Sequence, residues 1–295
     1  MILVAGGTGN LGAHLVSGLV GGGHDVRVLT RDPKRANVSS TDFERVELVT
    51  GDVRVPADVA RAVASCRVVI SAVHGFAGRG NPSPEAIDRD ANRVLITAAK
   101  AAGVEHFILL SVQGAAADHP MSLHRAKHAA EQALRESGLA FTILRPTAFM
   151  ETWTGIIGGT IAAKGHALVF GPGKNPINLV SVRDVAALVL LALEDPSLRN
   201  ETLEIGGPEN LGFVSLAEQI IQAQGKPARI KHIPLPVLRV MSVLARPFAP
   251  VFARQARAAV VMNTIDMSFD GAVRERLPSL PRTTLSDVLS ARPPC

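Results

Sequence analysis

The chain has 295 residues, 47% hydrophobic and 19% charged, which allows a large buried core and excludes global disorder. Two cysteines, Cys66 and Cys295, exclude a disulfide scaffold and a four-cysteine zinc site, and the absence of tyrosine excludes any mechanism with a tyrosine acid or base. The formal charge is +5, but the basic residues are scattered and aromatics make up 4%, which argues against a nucleic-acid surface.

Met1-Ile2-Leu3-Val4 carries no positive leader region, and no run reaches the ~18 uncharged apolar residues that span a bilayer, so a cytoplasmic protein is expected. Ile2–Ala5 reads as a strand. Leu11, Leu15 and Leu19 recur every four residues and mark a helix, ended by Gly21-Gly22-Gly23. Residues 26–29 and 46–49 read as two further strands, and Pro56 opens a helix at its first turn. A strand over 68–73 is followed by a stretch, 75–84, rich in Gly and Pro and suited to a mobile flap. A helix is predicted over 84–102, then a strand over 107–111. Ser122 is placed to cap a helix that stops at Gly138, and a sixth strand over 141–144 is halted by Pro146. Such alternation needs crossover connections, so the fold class is α/β with a doubly wound parallel sheet, and the near-continuous apolar runs predict cover on both faces.

Beyond Pro146 the pattern loosens. Helices are expected over 148–163 and 182–193, a short strand over 203–205, and Pro-rich helical segments over 206–295. The domain reading is 1–147 for the sheet and 148–295 for a smaller, mostly helical lobe that covers substrate and is partly interleaved with the first. The most apolar region, 235–262, is interrupted by Arg239, Arg246, Pro247, Pro250, Arg254 and Arg257. It reads as helices packed on the domain or on a second subunit, or as a peripheral membrane contact. A monomer or homodimer is expected.

The first strand runs directly into Gly6-Gly7-Thr8-Gly9-Asn10-Leu11-Gly12, which opens the first helix. Gly6 allows a tight turn, Gly9 lets the backbone approach a pyrophosphate, and Gly12 lets helix and strand pack closely. The free amides of the helix start then face the phosphates. This is a Rossmann-type dinucleotide site, and strand ends on the same edge, Ala72 and Val73 among them, line its crevice. NAD enzymes place an acid ~20 residues on, at the end of the second strand. Here Thr30-Arg31 stands there, with Lys34 and Arg35 following. Arg31 can pair with a 2′-phosphate, which selects NADP(H) as cofactor; Asp32 is the dissenting residue and could cap the local turn. Asp52, followed by Val53, could accept from the adenine amino group or cap its own turn.

These stretches, with Ala98 to Val104 leading to Leu110-Ser111, His124 to Glu131, Thr142 to Pro146, Val180 to Ala186 and Gly206-Gly207-Pro208, resemble the short-chain dehydrogenase/reductase superfamily over about residues 1–225. The branch resembled is the atypical NmrA-like group, with its quinone and triphenylmethane reductases. The superfamily's catalytic pair is Tyr-x-x-x-Lys. Lys127 matches the lysine, but Leu123 stands at the tyrosine position and can neither give nor take a proton. The resemblance implies that Lys127 hydrogen-bonds the nicotinamide ribose, that the carbonyl-orienting serine is Ser111 or is displaced toward Gln113, and that Pro146 and its successors pass the nicotinamide carboxamide.

His124 is the spare acid, on a helix face shared with Lys127, His128 and Glu131, although a plain solvated helix shows the same face. His124 and His128 have zinc-ligand spacing, but no third ligand is evident and no metal is expected. His74, after the fourth strand, is placed to approach nicotinamide or substrate, with a loop histidine as the alternative. Phe149, Met150 and Trp153 form an apolar substrate wall or the hinge core between lobes. Asp184 reads as a structural residue at a helix start. Three functions follow: an NADPH-dependent reductase of a small hydrophobic acceptor such as a quinone, enone or imine; an NADP(H)-binding regulator or assembly factor without turnover; or a non-redox isomerase or cyclase that retains NADP.

Overall fold

The computed structural model describes residues 1–36, 46–76, 83–225, 227–271 and 273–291. The first half alternates as expected: β1 (Ile2–Ala5), α1 (Asn10–Gly21), β2 (Val26–Thr30), β3 (Glu47–Thr50), α2 (Pro56–Val63), β4 (Val68–Ser71), α3 (Asn92–Ala101), β5 (His106–Leu110), α4 (Ser122–Arg135) and β6 (Phe141–Pro146). There follow β7 (Ala148–Phe149), α5 (Met150–Lys164), β8 (His166–Phe170), β9 (Ile177–Val180), α6 (Val182–Glu194), β10 (Glu201–Ile205), β11 (Asn210–Leu211) and α7 (Phe213–Gln224). The chain ends in β12 (Arg229–Ile233), α8 (Leu235–Leu244), α9 (Pro250–Met262), α10 (Val273–Arg276) and α11 (Leu285–Ser290).

Seven strands form one parallel sheet in the order β10-β6-β5-β4-β1-β2-β3. The order reverses at β1, whose last residue, Ala5, lies level with Leu29 on one side and Ser71 on the other. A crevice therefore opens beyond the carboxyl ends of β1 and β4, where doubly wound sheets bind ligands. Each face of the sheet has its own apolar core. Leu11, Leu15, Val16 and Leu19 of α1 pack with Val185, Leu188 and Val189 of α6 on one face, and Val59, Leu95, Ala130 and Leu134 cover the other. The periodicity of α1 seen in the sequence is this buried stripe.

The second half departs from expectation in several places. β10 and α6 belong to the main sheet and its cover, so the lobe proper draws on α5, α7, α8, α9 and two small sheets, β11-β9-β7 and β12-β8. Those strands escaped the sequence reading because they are two to five residues long and mixed in polarity. β6 continues through Pro146, which pairs with Ile205 of the end strand β10 and needs no N–H donor there. The helix predicted over 84–102 starts as a π-helical turn, Glu85–Ala91, before α3. Ser122 is the first residue of α4, with Met121 at the cap and no side-chain cap bond. At α6 the cap is Ser181, whose hydroxyl accepts from the Arg183 amide. Asp184, fully buried, instead accepts from the amide and hydroxyl of Thr283 and pins the C-terminal segment to the sheet's cover. Residues 77–82 of the expected flap lie outside the described residues, as does Cys295. Among the described residues no helix is long and apolar enough to cross a membrane.

Candidate functional site

The glycine turn has the shape its sequence demands. Gly6 has φ +92°, and a Cβ on it would lie 2.6 Å from the Ala72 carbonyl oxygen. A Cβ on Gly12 would lie 2.1 Å from the Gly6 oxygen, so helix and strand touch there through backbone alone. Gly9 caps α1 and donates its own N–H to Gly6. No side chain caps the first-turn amides of Asn10, Leu11 and Gly12, and no acid stands in that turn. Thr8 is half-buried, Asn10 exposed, and the Leu11 side chain is committed to the core. Bare amides at a helix start with an exposed glycine in front of them fit a pyrophosphate.

At the end of β2, Arg31 and Lys34 are exposed. Asp32 accepts from the Lys34 amide at 3.1 Å, so the dissenting acid caps the turn. At the end of β3, Asp52 accepts from the Arg54 amide and pairs with its guanidinium at 2.5 Å. The Arg54 hydrogen bonds hold its carboxyl below the usual carboxylate range. Of the two readings of Asp52, the geometry presents the turn cap, with Val53 half-buried against the lower core.

Lys127, expected beside the nicotinamide ribose, has close protein partners. Its ammonium is buried and donates to Leu110 O at 2.7 Å and Val73 O at 3.0 Å, and it lies 3.0 Å from Asp88 Oδ1. Two N–H groups are donated to carbonyls, and the Asp88 carboxylate supplies the countercharge. Lys127 thus ties the ends of β4 and β5 to the π-helical turn and acts as a positioning residue. Asp88 completes the tie. It is fully buried, and its other oxygen accepts from the Gly75 amide at 2.9 Å. Burial pushes its carboxyl up, but Lys127 and His74 outweigh this and hold it below the usual range. His74, with its side chain 48% exposed, lies 3.6 Å from Asp88 and stacks on Phe76. Asp88 was missed in the sequence. Its signal was a buried polar pair at helical spacing, Asp88 and Asn92, on the apolar stripe of Leu95, Ile96 and Ala99.

His124, the expected spare acid, lies in the interior. Its ring is buried and stacked on His119 at 3.8 Å, and burial followed by the His119 charge pushes it down to about 3. The face of α4 that reads as solvated is the buried one: Leu123, His124, Lys127 and Glu131 all point inward. Ser111 likewise turns away from the crevice and donates to Glu131 Oε1 at 2.5 Å, while Arg145 and Arg135 pair with the same carboxylate. Gln113 is half-buried and bonds Pro146 O through its backbone. Met150 is 1% exposed in the core of the second lobe, and Trp153 packs on Phe213 there at 4.5 Å. These two are hinge and lobe core, because α5 presents them to α7; Phe149 packs against the main core.

A cavity of about 380 Å³ opens between the segment after β4, the start of α4, and helices α8 and α9. Phe76 and Glu85 line it from the segment after β4, Pro120 to Ser122 from the start of α4, and Pro250, Ala253 and Ala258 from α9. Among the described residues no group of three His, Cys, Asp or Glu side chains is arranged to hold a metal ion.

A family model described as NAD(P)H-binding matches residues 6–196. An NAD(P)H azoreductase of Xenophilus azovorans is 32% identical over 237 residues, 80% of this chain and 78% of that one. A photosystem II assembly factor of Synechocystis is 28% identical over 88% of this chain and 78% of its own. In fold, the chain is similar to an NADPH-dependent quinone oxidoreductase from Escherichia coli, crystallised with NADPH, with a TM-score of 0.78 at 20% identity over 98% of this chain and 99% of that one.

Three measurements test this geometry. Gly9→Val places a branched side chain before the helix amides and is expected to abolish NADPH binding in a fluorescence titration; undiminished binding would remove the turn from the cofactor site. Lys127→Met leaves Asp88 buried without its cation and is expected to lower the unfolding free energy of the cofactor-free protein by about 3–5 kcal/mol in urea. A lysine that serves only the cofactor would show no such loss. His124, pushed to about 3, and His106, pushed by burial to about 4, stay neutral in the fold yet charge in the unfolded chain at 6.5. Their stability is complete above that value and is lost as pH falls, by about 2 kcal/mol each at pH 5. His124→Leu should flatten the pH dependence of the melting temperature, and an unchanged slope would reject this assignment.

Proposed function

The chain belongs to the NAD(P)H-binding family, in the NmrA-like branch of the short-chain dehydrogenases/reductases, and from that premise we propose that it is an NADPH-dependent reductase of small hydrophobic acceptors that works without a tyrosine. One observation carries this reading. The first-turn amides of α1 stand uncapped behind the glycine turn, and the start of α4, which lines the cavity, carries Leu123 where an acid would stand.

The residues divide the work as follows. The amides of Asn10, Leu11 and Gly12 would hold the pyrophosphate, with Arg31 and Lys34 beside a 2′-phosphate. A bound reduced nicotinamide supplies a hydride, two electrons and one proton together, and is oxidised as the acceptor is reduced. Lys127 and Asp88 set the spacing of the β4 and β5 ends, and Phe76 and Met121 shield the cavity from water. His74 lies beside the buried Asp88 on the segment that leaves β4. Leu123 and neutral His124 leave the interior without a strong acid, so a ketone, whose alkoxide product needs a proton at once, is disfavoured. Quinones, enones, imines and azo compounds form better-stabilised anions or carry charge already, and water supplies the second proton. The azoreductase similarity supports this acceptor class.

A second reading, a cofactor-binding assembly factor, is favoured by a separate feature. Val237, Val240 and Leu244 of α8 and Phe248 of the turn after it are exposed apolar side chains, with Phe248 89% exposed. The similarity to a photosystem II assembly factor supports it. One experiment separates the two. Trp153 fluorescence is titrated with NADPH and NADH, and NADPH absorbance is then followed with a quinone and azo panel. NADPH is expected to bind more tightly and to be consumed, and Arg31→Asp should weaken NADPH alone, by at least about tenfold. Equal loss for both cofactors would refute the 2′-phosphate role. Tight NADPH binding without consumption would shift the assignment to the assembly factor.

A further inference from the structure

The cavity is more strongly charged than a site for a neutral acceptor requires. Arg125 of α4, Arg246 of the turn after α8, and Arg254 and Arg257 of α9 all line it, against the single carboxylate of Glu85. The segment 235–262 holds four arginines and no acid. These guanidiniums are placed by backbone carbonyls: Arg125 donates to His119 O at 2.6 Å, Arg246 to Ser242 O at 3.2 Å, Arg254 to Phe76 O at 3.3 Å and Arg257 to Pro120 O at 3.3 Å. A carbonyl takes a hydrogen bond but cancels no charge. Among the described residues, four cations from two separate stretches of chain therefore line one cavity of about 380 Å³ with one carboxylate, Glu85, beside them. Such a wall repels cations and draws in anions, most of all where the surroundings are partly apolar.

The rest of the lining specifies the ligand further. Phe76, Met121, Pro250, Ala253 and Ala258 give an apolar surface, and Arg254 lies 5.8 Å from the Phe76 ring centre. An aromatic ring fits that surface, and an acidic substituent fits the guanidinium fork, which matches planar oxyanions.

We infer that the acceptor taken here is an aromatic or conjugated compound bearing a sulfonate, carboxylate or phosphate group, held through Arg246, Arg257 and their neighbours. This rests on the reductase reading for the word acceptor, while the anion site stands on the cavity alone.

The test uses the full chain saturated with NADP⁺ or NADPH, so that the cofactor's own phosphates cannot be the occupant. Naphthalene sulfonate is titrated by calorimetry into the NADP⁺ form, and naphthoquinone is compared with naphthoquinone sulfonate in NADPH turnover. Both Arg246 and Arg257 are exposed, so Arg246→Gln with Arg257→Gln is compatible with folding, checked by the melting temperature. The sulfonate should bind, more weakly at high salt, and the double variant should lose about tenfold in that affinity. In turnover, the ratio of KM for the sulfonated to the neutral quinone should rise by a similar factor. Absent sulfonate binding, or binding that the double variant leaves unchanged, overturns the inference. If neither quinone is reduced but sulfonate binding is lost in the variant, the reductase reading fails and the anion site stands. If both quinones are reduced with a KM ratio that the variant does not move, the reverse holds.

Discussion

A lysine ammonium sealed inside a protein must find acceptors for its three hydrogens and a countercharge, or the fold cannot keep it ionised. Lys127 finds two carbonyls at the ends of adjacent strands and one carboxylate on a π-helical turn. That requirement sets the architecture of the crevice. β4 and β5 are held at a fixed spacing just where they end, and the turn carrying Asp88 is drawn in against them. Asp88 in turn binds the Gly75 amide and faces His74, so the first residues leaving β4 are placed from inside. The cavity wall at Phe76 and Glu85 follows directly from this tie.

The same requirement explains why the polar residues of α4 and its neighbours are buried in pairs. Glu131 is fully buried, with Arg145 and Arg135 beside it and Ser111 donating to it. Burial pushes its carboxyl up, and the Arg145 and Ser111 hydrogen bonds bring it below the usual range. Thr142 donates to Leu198 O, so its oxygen is left to accept from His106 Nε2, which fixes that ring's tautomer. Removing one member of such a group leaves another charged or polar atom stranded, which costs more than the bond itself contributes. Residue types that suggest catalysis are here also the internal braces of the crevice.

The sheet, the crevice and the phosphate turn were legible in the sequence because each follows from local rules: apolar runs of strand length, leucines every four residues, glycines between strand and helix. The cofactor-charge argument was equally local, since Arg31 and Asp32 sit next to each other and Asp32 closes its own turn. The buried contacts of Lys127, His124 and Ser111 were not legible. Each depends on a partner 17 to 54 residues away, or on burial that the mixed composition of α4 disguises. Helical spacing places His124, Lys127 and Glu131 on one face, but it does not say whether that face meets water or the sheet. The small sheets of the second lobe were hidden for the opposite reason: their strands are too short for a period to emerge.

An interior without an acid constrains the acceptor more than it constrains the enzyme. Hydride arriving at a carbon or nitrogen creates negative charge on the acceptor, and neither Leu123 nor a histidine held near 3 can neutralise it with a proton. The charge must be spread over the acceptor's own π-system or met by fixed positive charge from the protein. On the proposed reading the arginines at the cavity would supply the latter without proton transfer, because a guanidinium stays charged over the whole working pH range. A wall that attracts an acidic substituent before the reaction also stabilises the extra charge that forms during it. Binding selectivity and stabilisation of the reduced product would then come from the same side chains, which makes a tyrosine at position 123 dispensable.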